Sequence, residues 1–505
     1  MIAQEYMAPL MFAALVVVML VGFPVAFSLA GLGLGFGYFA VSMGYFPEAF
    51  MGNLPLKLFG IVSNELLLAI PFFTFMGAVL ERCGLAEDLL EGTGQLFGSK
   101  PGGLGFAVII VGAVLGAITG TVAASVIAMG VISLPVMMRY GYDMRYATGV
   151  IAASGTITQL IPPSLVLVVL ADQLGRSVGD MYLGAIGPSL LQTAIFLLFT
   201  LGVAVLRPQW VPALPPEART LRGAALVKRV LWGMLPSIVL IFLVLGTLFM
   251  GIATPTEAGA LGALGAVVLA GLHRRLSLKL LWQAMDATVR VTAMVIFILL
   301  GSSVFSLVFQ GVDGNVWIEH MLSQLPGGPI GFLIVVNIFV FFLAFFLDFF
   351  EIAFIIVPLL APVAEKLGID LVWFGVLLCV NMQTSFMHPP FGFALFYLRG
   401  VGDQVYKSGA IPKPLASRDI YLGAIPWVGM QLILVAVVIF WPESVTYWLD
   451  KAPQVNPDDV HIEMQIEDTG ASADPAMPEV PTTPDEAQSG PAEASQPTAP
   501  QLTAP

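Results

Sequence analysis

Residues 134–143 read LPVMMRYGYD, and residues 361–370 read APVAEKLGID. The second stretch follows the first by 227 positions and carries proline and aspartate at the same places. A second pair of matches, DMYLGAI at 180–186 and DIYLGAI at 419–425, follows at a slightly longer interval. Leu and Val coincide by chance in apolar sequence, but this set of Pro, Asp and Tyr does not. The chain therefore contains two related halves.

The composition indicates a membrane protein. Of the 505 residues, 58% are hydrophobic and 11% are charged, whereas soluble domains carry roughly 25% charged residues. Apolar runs of about 17–25 residues recur, which is the length of a helix that crosses a bilayer. The runs are continuous rather than alternating, so they predict helices and exclude a β-barrel. We predict an all-α polytopic membrane protein that is not an enzyme and binds no nucleic acid.

The positive charges predict the orientation of the spans. The clearest basic clusters are 207–229 and 273–279, and two spans lie between them. With both clusters in the cytoplasm and both termini outside, ten full spans place seventeen of the twenty-one Lys and Arg residues inside. Two further segments, 103–138 and 330–365, must enter the membrane and return. The first enters from inside and the second from outside, so we predict inverted repeats with re-entrant hairpins.

The repeat and the charges divide the chain into five regions. These are N-terminal scaffold spans (1–102), a first repeat (103–192) with hairpin 103–138 and a broken helix over about 145–170, central scaffold spans with basic cytoplasmic loops (193–310), a second repeat (330–441) with hairpin 330–365 and a broken helix over about 371–398, and a tail (452–505). The tail holds ten acidic residues and no Lys or Arg. It has few aliphatic side chains to bury, so we predict that it is disordered.

Four polar segments interrupt the apolar runs, one in each hairpin and one in each following helix. The residues expected to bind sodium or substrate are Thr119, Gly120, Thr121, Ser154, Gly155, Thr156, Thr158, Asp348, Asn381, Thr384, Ser385, His388 and Gly392. Pro162, Pro163, Pro389 and Pro390 should break the two helices, because proline lacks an N–H and clashes with the preceding turn. Freed carbonyls and hydroxyls suit Na⁺, and half-helix N-termini suit an anionic substrate.

Several residues in these segments have more than one possible role. Asp348 and Glu351 are the only acids from Ile330 to Pro362, and an intramembrane carboxylate costs roughly 2.5–3.5 kcal/mol on the insertion scale. We expect Asp348 to bind sodium or to act in gating, and the alternative is a place in a water-filled vestibule. His388 could titrate or donate to a substrate carboxylate, or it could be a core histidine whose hydrogen bonds are satisfied. Gly, Ser, Thr and Pro are also ordinary packing and kink residues in membrane helices.

Five motifs carry a family resemblance. They are LLAIPFFTFMGAVLERCGL (67–85), ASGTITQLIPPS (153–164), GIATPTEAGA (251–260), GIDLVWFGVLL (368–378) and HPPFGFALF (388–396). They resemble the large membrane subunit of TRAP transporters, the tripartite ATP-independent periplasmic carriers, over about residues 5–445. The resemblance implies a sodium-driven elevator transporter in the bacterial inner membrane. It also implies two partners, a small four-helix membrane subunit and a periplasmic binding protein that delivers a small organic acid.

The chain departs from the family pattern at two places. Thr119-Gly120-Thr121 stands where Ser-Gly-Ser is usual, and His388 stands where Thr is common, which puts a hydroxyl ligand at position 388 in question. Residues 391–418 resemble a branch named for mannitol or chloroaromatic compounds, which implies a 2-oxo or 2-hydroxy monocarboxylate.

Three other functions remain open from the sequence. The first is a stand-alone sodium–dicarboxylate symporter of the divalent-anion type, which shares the hairpin pattern but needs no binding protein. The others are a membrane subunit of an ion-pumping redox enzyme and a channel. On the predicted topology the spans carry no lysine for a proton relay and no pore-lining ring motif, which disfavours both.

Overall fold

The computed structural model describes most of the chain up to the C-terminal tail. The described residues are 4–219, 223–345, 347–388 and 392–449, without the side chains of 20, 85–88 and 229. Three predictions therefore lie outside the described residues: the disordered tail 452–505 and the helix breaks at Pro389 and Pro390.

Every regular element in the described part is a helix. The α-helices, numbered in chain order, are α1 (Met7–Val21), α2 (Val25–Ser42), α3 (Glu48–Met51), α4 (Leu54–Val62), α5 (Ala69–Arg82), α6 (Leu85–Phe97), α7 (Gly103–Thr119), α8 (Val122–Arg139), α9 (Met144–Thr156), α10 (Leu165–Leu174), α11 (Val178–Leu206), α12 (Ala224–Phe249), α13 (Pro255–Leu272), α14 (Leu278–Gly311), α15 (Gly314–Ser323), α16 (Gly328–Leu343), α17 (Phe349–Glu351), α18 (Val357–Lys366), α19 (Leu371–Met382), α20 (Phe393–Lys407), α21 (Ser417–Phe440) and α22 (Glu443–Thr446). A π-helix, Ile352–Ile356, joins α17 to α18. Short 3₁₀ turns occur at Gln4–Tyr6, Glu65–Leu68, Ile157–Gln159, Pro208–Trp210, Pro216–Ala218 and Gln383–Phe386.

Seven helices of the described part are long and apolar enough to cross a membrane. They are α2, α8, α11, α12, α13, α14 and α21. Two bent pairs, Glu48–Val62 with Glu65–Arg82 at 45° and Gly314–Ser323 with Gly328–Leu343 at 116°, raise the number to nine if each pair is one span. The predicted all-α polytopic membrane fold is confirmed. The ten spans and their orientation stay predictions, because helix length and composition do not give direction.

The two halves follow one order of elements. Two hairpin helices come first, α7 with α8 in one half and α16 with α17–α18 in the other, and a helix with a 3₁₀ end follows each pair. The repeated aspartates explain where that helix begins. The Asp143 carboxylate accepts hydrogen bonds from two N–H groups in the first turn of α9, at 3.0 and 3.1 Å, and Asp370 accepts one from Trp373 in α19 at 2.8 Å. Both are N-caps, which Asp favours.

Two groups of helices pack side by side. We call α7–α11 with α16–α21 the repeat unit, and α2, α4, α5, α12, α13 and α14 the outer group. In the outer group α2 packs against α14 and α5 packs against α13. In the repeat unit α21 packs against α9 and α11, and Trp427 of α21 meets Phe196 and Phe199 of α11 edge to face at 5.0 and 4.9 Å. Small residues permit such close helix crossings, and a Cβ on Gly149 would lie 2.3 Å from the Gly423 carbonyl oxygen.

Candidate functional site

The first hairpin turns in two residues. α7 ends at Thr119, Gly120 has a φ of +62°, and Thr121 is extended before α8 begins. Glycine adopts this left-handed conformation without the steric cost that a Cβ brings, so the tip can be this short. The Thr119 hydroxyl is buried, lies 2.7 Å from the Ser125 hydroxyl and donates to the Leu115 carbonyl at 2.9 Å.

A row of hydroxyls connects this tip to the first broken helix. The Thr158 hydroxyl lies 3.1 Å from the Ser125 hydroxyl and 2.5 Å from the Gly155 carbonyl oxygen. Each hydroxyl has one proton and two lone pairs, so the three hydroxyls supply three protons for four oxygen–oxygen contacts. At least one of the four contacts therefore has no hydroxyl proton between its two oxygens. The row is an oxygen-rich environment that would favour a cation.

Thr156 connects the two halves of the molecule. Its hydroxyl donates to the Ala153 carbonyl at 2.9 Å and accepts from the Gln431 amide at 3.0 Å. The Met387 sulfur lies 3.7 Å from the Thr156 hydroxyl and 3.8 Å from the Gln431 amide nitrogen. All three side chains are buried. Thr156 thus ties the first broken helix to the second one and to α21.

Ser154 and Gly155 lie at helix crossings. The Ser154 side chain faces α7 beside Gly112, where a Cβ would come within 2.6 Å of it. Its hydroxyl has no hydrogen-bond partner among the described residues. A Cβ on Gly155 would lie 2.3 Å from a Val126 methyl group. Gly155 is therefore needed for close packing of α9 on the hairpin, and its carbonyl rather than its side chain reaches the hydroxyl row.

The second hairpin carries two acidic residues at its tip. The Glu351 backbone N–H donates to the Asp348 carboxylate at 2.9 Å, and the Asp348 N–H donates to the Glu351 carboxylate at 2.9 Å. This reciprocal pair is a capping box. Glu351 is buried and Asp348 is half-buried. The π-helix follows directly, and single π turns inside α-helices often occur at functional sites.

The polar side chains of the second broken helix bond to α16 and to the helix's own backbone. The Asn381 amide donates to the Asn337 carbonyl at 2.8 Å and to the Asn337 side-chain oxygen at 3.0 Å, which fixes α19 to α16. The Thr384 hydroxyl donates to the Asn381 carbonyl at 2.7 Å, and Ser385 donates to the Met382 carbonyl at 2.6 Å. The donors are thereby used, and the side-chain oxygens keep lone pairs that could bind a cation.

His388 lies between aromatic rings. Its ring stacks on Phe345 at 4.3 Å between centroids and meets Phe341 edge to face at 4.4 Å. The side chain is buried, and neither ring nitrogen has a hydrogen-bond partner among the described residues. The aromatic contacts fit a core histidine, but the ring nitrogens are not satisfied within the described residues as that alternative requires, so both alternatives stay predictions. Gly392 lies close to the backbone, since a Cβ there would lie 2.6 Å from the Phe386 carbonyl oxygen.

The first helix is interrupted where Pro162 and Pro163 lie. The 3₁₀ turn after α9 ends at Gln159, and α10 begins at Leu165. Ser164 caps α10 by accepting an N–H two residues on at 3.2 Å, and its hydroxyl donates to the Gln159 carbonyl. The interruption is therefore partly satisfied by side chains, as a membrane interior requires.

Helices of each half pack against the hairpin of the other half. α20, which follows the second broken helix, packs on α8 of the first hairpin, and α10 packs on α18 of the second hairpin. Gly130 permits the first of these contacts, since a Cβ there would lie 3.1 Å from Val401. Hydrogen bonds bring Thr119 and Thr158 together, whereas none among the described residues joins the first tip to Asp348.

Three residues outside the predicted set complete these arrangements. Ser125 bridges the first tip to α9, Gln431 bridges the halves, and Asn337 receives Asn381. Ser125 follows the Thr119-Gly120-Thr121 tip closely, and Gln431 repeats Gln192 at the interval that relates the DMYLGAI and DIYLGAI matches. Asn337 is a single polar residue in an apolar run and has no such pattern.

Comparison with known proteins identifies the family. The family described as "Tripartite ATP-independent periplasmic transporter, DctM component" matches residues 12–444. The chain belongs to this TRAP transporter family. The family resemblance predicted from the motifs is thereby confirmed.

Two relatives and one solved structure show how far the similarity extends. The C4-dicarboxylate TRAP transporter large permease protein DctM of Pseudomonas aeruginosa is 30% identical over 391 residues, which are 77% of this chain and 87% of that protein. The isethionate TRAP transporter permease protein DctMQ of Oleidesulfovibrio alaskensis is 28% identical over 396 residues, 78% of this chain and 60% of that protein. The YdaH transporter of Alcanivorax borkumensis aligns with a TM-score of 0.55 at 16% identity, covering 77% of this chain and 87% of that chain, and so shares the fold.

Proposed function

We propose that this TRAP permease couples the import of a small organic acid to sodium. The observation that carries the proposal is the buried hydroxyl row of Thr119, Ser125 and Thr158, where three protons serve four oxygen contacts. Unwound helix segments that offer carbonyls and hydroxyls coordinate the coupling ions of many secondary transporters. The Asp348 carboxylate at the second tip would supply the negative charge that a cation needs in a medium of low dielectric constant.

We propose an elevator movement of the repeat unit along the outer group. The exchanged packing of α10 and α20 binds both hairpins and both broken helices into one body. The contact with the outer group includes a hydrogen bond from the Asn64 amide to the Asp172 carboxylate at 2.7 Å. A movement of the repeat unit would break that bond and carry the hydroxyl row across the membrane.

The partners and the orientation are part of the same proposal. Exposed apolar side chains such as Phe242, Leu264 and Val289 cover the outer group, which suits lipid and a small four-helix membrane subunit. The relative named DctMQ is longer than its matched part, which leaves room for a second component. A periplasmic binding protein would deliver the acid to the outer face. The basic loops face the cytoplasm of a bacterium and both termini face the periplasm.

The substrate is proposed to be a 2-oxo or 2-hydroxy monocarboxylate. The support is the resemblance of residues 391–418 to one branch of the family. The relatives are named for C4-dicarboxylate and for isethionate, both small organic anions. A small anion is therefore the class of substrate to test first.

Reconstitution tests this function directly. The chain, its small membrane subunit and its binding protein are placed in liposomes, and uptake of labelled lactate, pyruvate and succinate is measured with and without an inward sodium gradient. We expect uptake of lactate or pyruvate only when sodium and the binding protein are both present. Equal uptake without sodium would contradict sodium coupling. Sodium-dependent succinate uptake without the binding protein would instead indicate the stand-alone dicarboxylate symporter.

A further inference from the structure

A cavity of about 290 Å³ with several polar lining residues lies between the outer group and the repeat unit. α4 and α14 form one wall, and α10 with the second hairpin forms the other. The polar residues of the lining are Lys57, Asn64, Asp172, Gln173, Ser302, Ser303 and Ser306. The volume is just below the range for small-molecule sites, about 300–1,000 Å³, so the cavity suits a molecule of few atoms.

The two charged groups of the cavity, Asp172 and Lys57, differ in their hydrogen-bond partners. The Asp172 carboxylate accepts hydrogen bonds from the Asn64 amide at 2.7 Å and from the Gln173 amide at 2.9 Å. Lys57 donates to the neutral side-chain oxygen of Gln310 at 3.2 Å. Among the described residues Lys57 forms no ion pair. The cavity therefore contains a half-buried ammonium group that makes no ion pair with any described residue, and a carboxylate that is already hydrogen-bonded.

The three serines extend the polar wall along α14. The hydroxyls of Ser302 and Ser303 both donate to the Leu299 carbonyl, at 2.9 and 2.8 Å. Their protons are used within the helix, and their oxygens keep lone pairs for a donor in the cavity. The wall thus offers one cation for an acidic group and several acceptors for a hydroxyl group.

We propose that this cavity is a capture site for a small 2-hydroxy monocarboxylate, with Lys57 binding the carboxylate and the Asp172 and serine oxygens accepting from the hydroxyl group. This site rests on the proposed function, because it receives the acid before the repeat unit carries it. Lys57 lies outside on the predicted topology, where an arriving acid would first meet the chain. A dicarboxylate fits less well, since its second charge would face Asp172. Specificity of this kind comes from rejecting the wrong ligand as well as binding the right one.

Direct binding tests the capture site without the partner proteins. The chain is placed in nanodiscs of phosphatidylcholine, and binding of labelled lactate is measured with succinate as competitor. We expect Lys57→Gln to weaken lactate binding about tenfold, the effect of one charged hydrogen bond, and Lys57→Arg to keep most of it. Lys366→Gln is the matched control, because this substitution removes the same charge from a lysine that pairs with Glu319 and lies outside the cavity.

Uptake separates this site from the proposed function. We expect Lys57→Gln to raise the half-saturating concentration of lactate-loaded binding protein about tenfold while the maximal rate stays within about twofold. Sodium-dependent uptake by the wild type, with uptake and lactate binding unchanged in Lys57→Gln, would overturn the capture site and leave the proposed function standing. Loss of wild-type sodium dependence would overturn the coupling, and the nanodisc measurement would still decide the site. If Lys57→Gln reduced the amount of bound phospholipid and left lactate binding unchanged, the cavity would be a lipid headgroup site and the proposal would be overturned.

Discussion

The two hairpin tips occupy equivalent places in the repeat but present opposite chemistry. The first turns at Gly120 and offers only hydroxyls and carbonyls, and the helix that follows it is regular. The second ends in the capping box of Asp348 and Glu351 and continues into a π-helix. A cation bound at the first tip keeps its charge, whereas a carboxylate at the second tip can neutralise one. The two halves thus interrupt their helices at equivalent positions but carry different side chains at those positions.

The shared features are the structural ones. Asp143 and Asp370 cap equivalent helices, and Pro135 and Pro362 lie inside the second helix of each hairpin. These positions decide where helices begin and bend, so both halves need them. The first tip has no counterpart of Asp348. We infer that the first tip supplies coordination, the second supplies charge, and transport depends on both.

Removal of the second tip's charge should have the largest effect. In Asp348→Asn the side chain still caps the following turn, because Asn is as good an N-cap as Asp, but the charge is lost. We expect sodium-dependent uptake to fall about 100-fold, which corresponds to about 2.7 kcal/mol, while the protein still inserts and elutes as a single species. Asp370→Asn is the control, since Asp370 is also an N-cap and lies away from the tip. Wild-type uptake by Asp348→Asn would leave Asp348 with its capping role alone.

Loss of one hydroxyl from the first tip's row should have a smaller effect. Thr158→Val keeps the shape of the side chain and removes the oxygen that lies 3.1 Å from Ser125. We expect the sodium concentration for half-maximal uptake to rise about tenfold, with little change at saturating sodium. Thr193→Val is the matched control, because the Thr193 hydroxyl donates only within its own helix, to Ser189 at 2.9 Å. Equal sodium dependence of the two variants would remove the hydroxyl row from the sodium site.

Much of the architecture follows from the sequence because it depends on local chemistry. Continuous apolar runs require helices in lipid, and Asp and Pro mark where those helices begin and break. The broken helices predicted from about 145 and 371 begin in the structure at Met144 and Leu371, directly after Asp143 and Asp370. Family membership follows as well, since it rests on several motifs together.

The site is harder to predict because its partners are distant in the sequence. Gln431 reaches Thr156 across 275 positions, and Asn337 reaches Asn381 across 44. No local pattern encodes such pairs. The surroundings of His388 are also out of reach, because Phe341 lies in another helix and aromatic residues are common in spans. The sequence thus identifies the residues at the helix breaks. It does not identify their hydrogen-bond partners in other helices.

Strain at the first tip should have the smallest effect on uptake and the clearest effect on stability. Gly120→Ala places a Cβ at a φ of +62°, where the nearest other atom lies 3.9 Å away, so strain rather than crowding results. The left-handed conformation costs a residue with a Cβ about 1–2 kcal/mol. We expect a lower melting temperature in detergent and uptake reduced about threefold, because the shifted tip holds the hydroxyl row less well. Gly175→Ala applies the same strain at a φ of +60° with no atom within 4 Å, at the end of α10 rather than at the tip. If both variants lose stability but only Gly120→Ala loses uptake, the conformation of the first tip matters for transport; equal loss of uptake would mean that strain anywhere in the repeat unit has the same consequence.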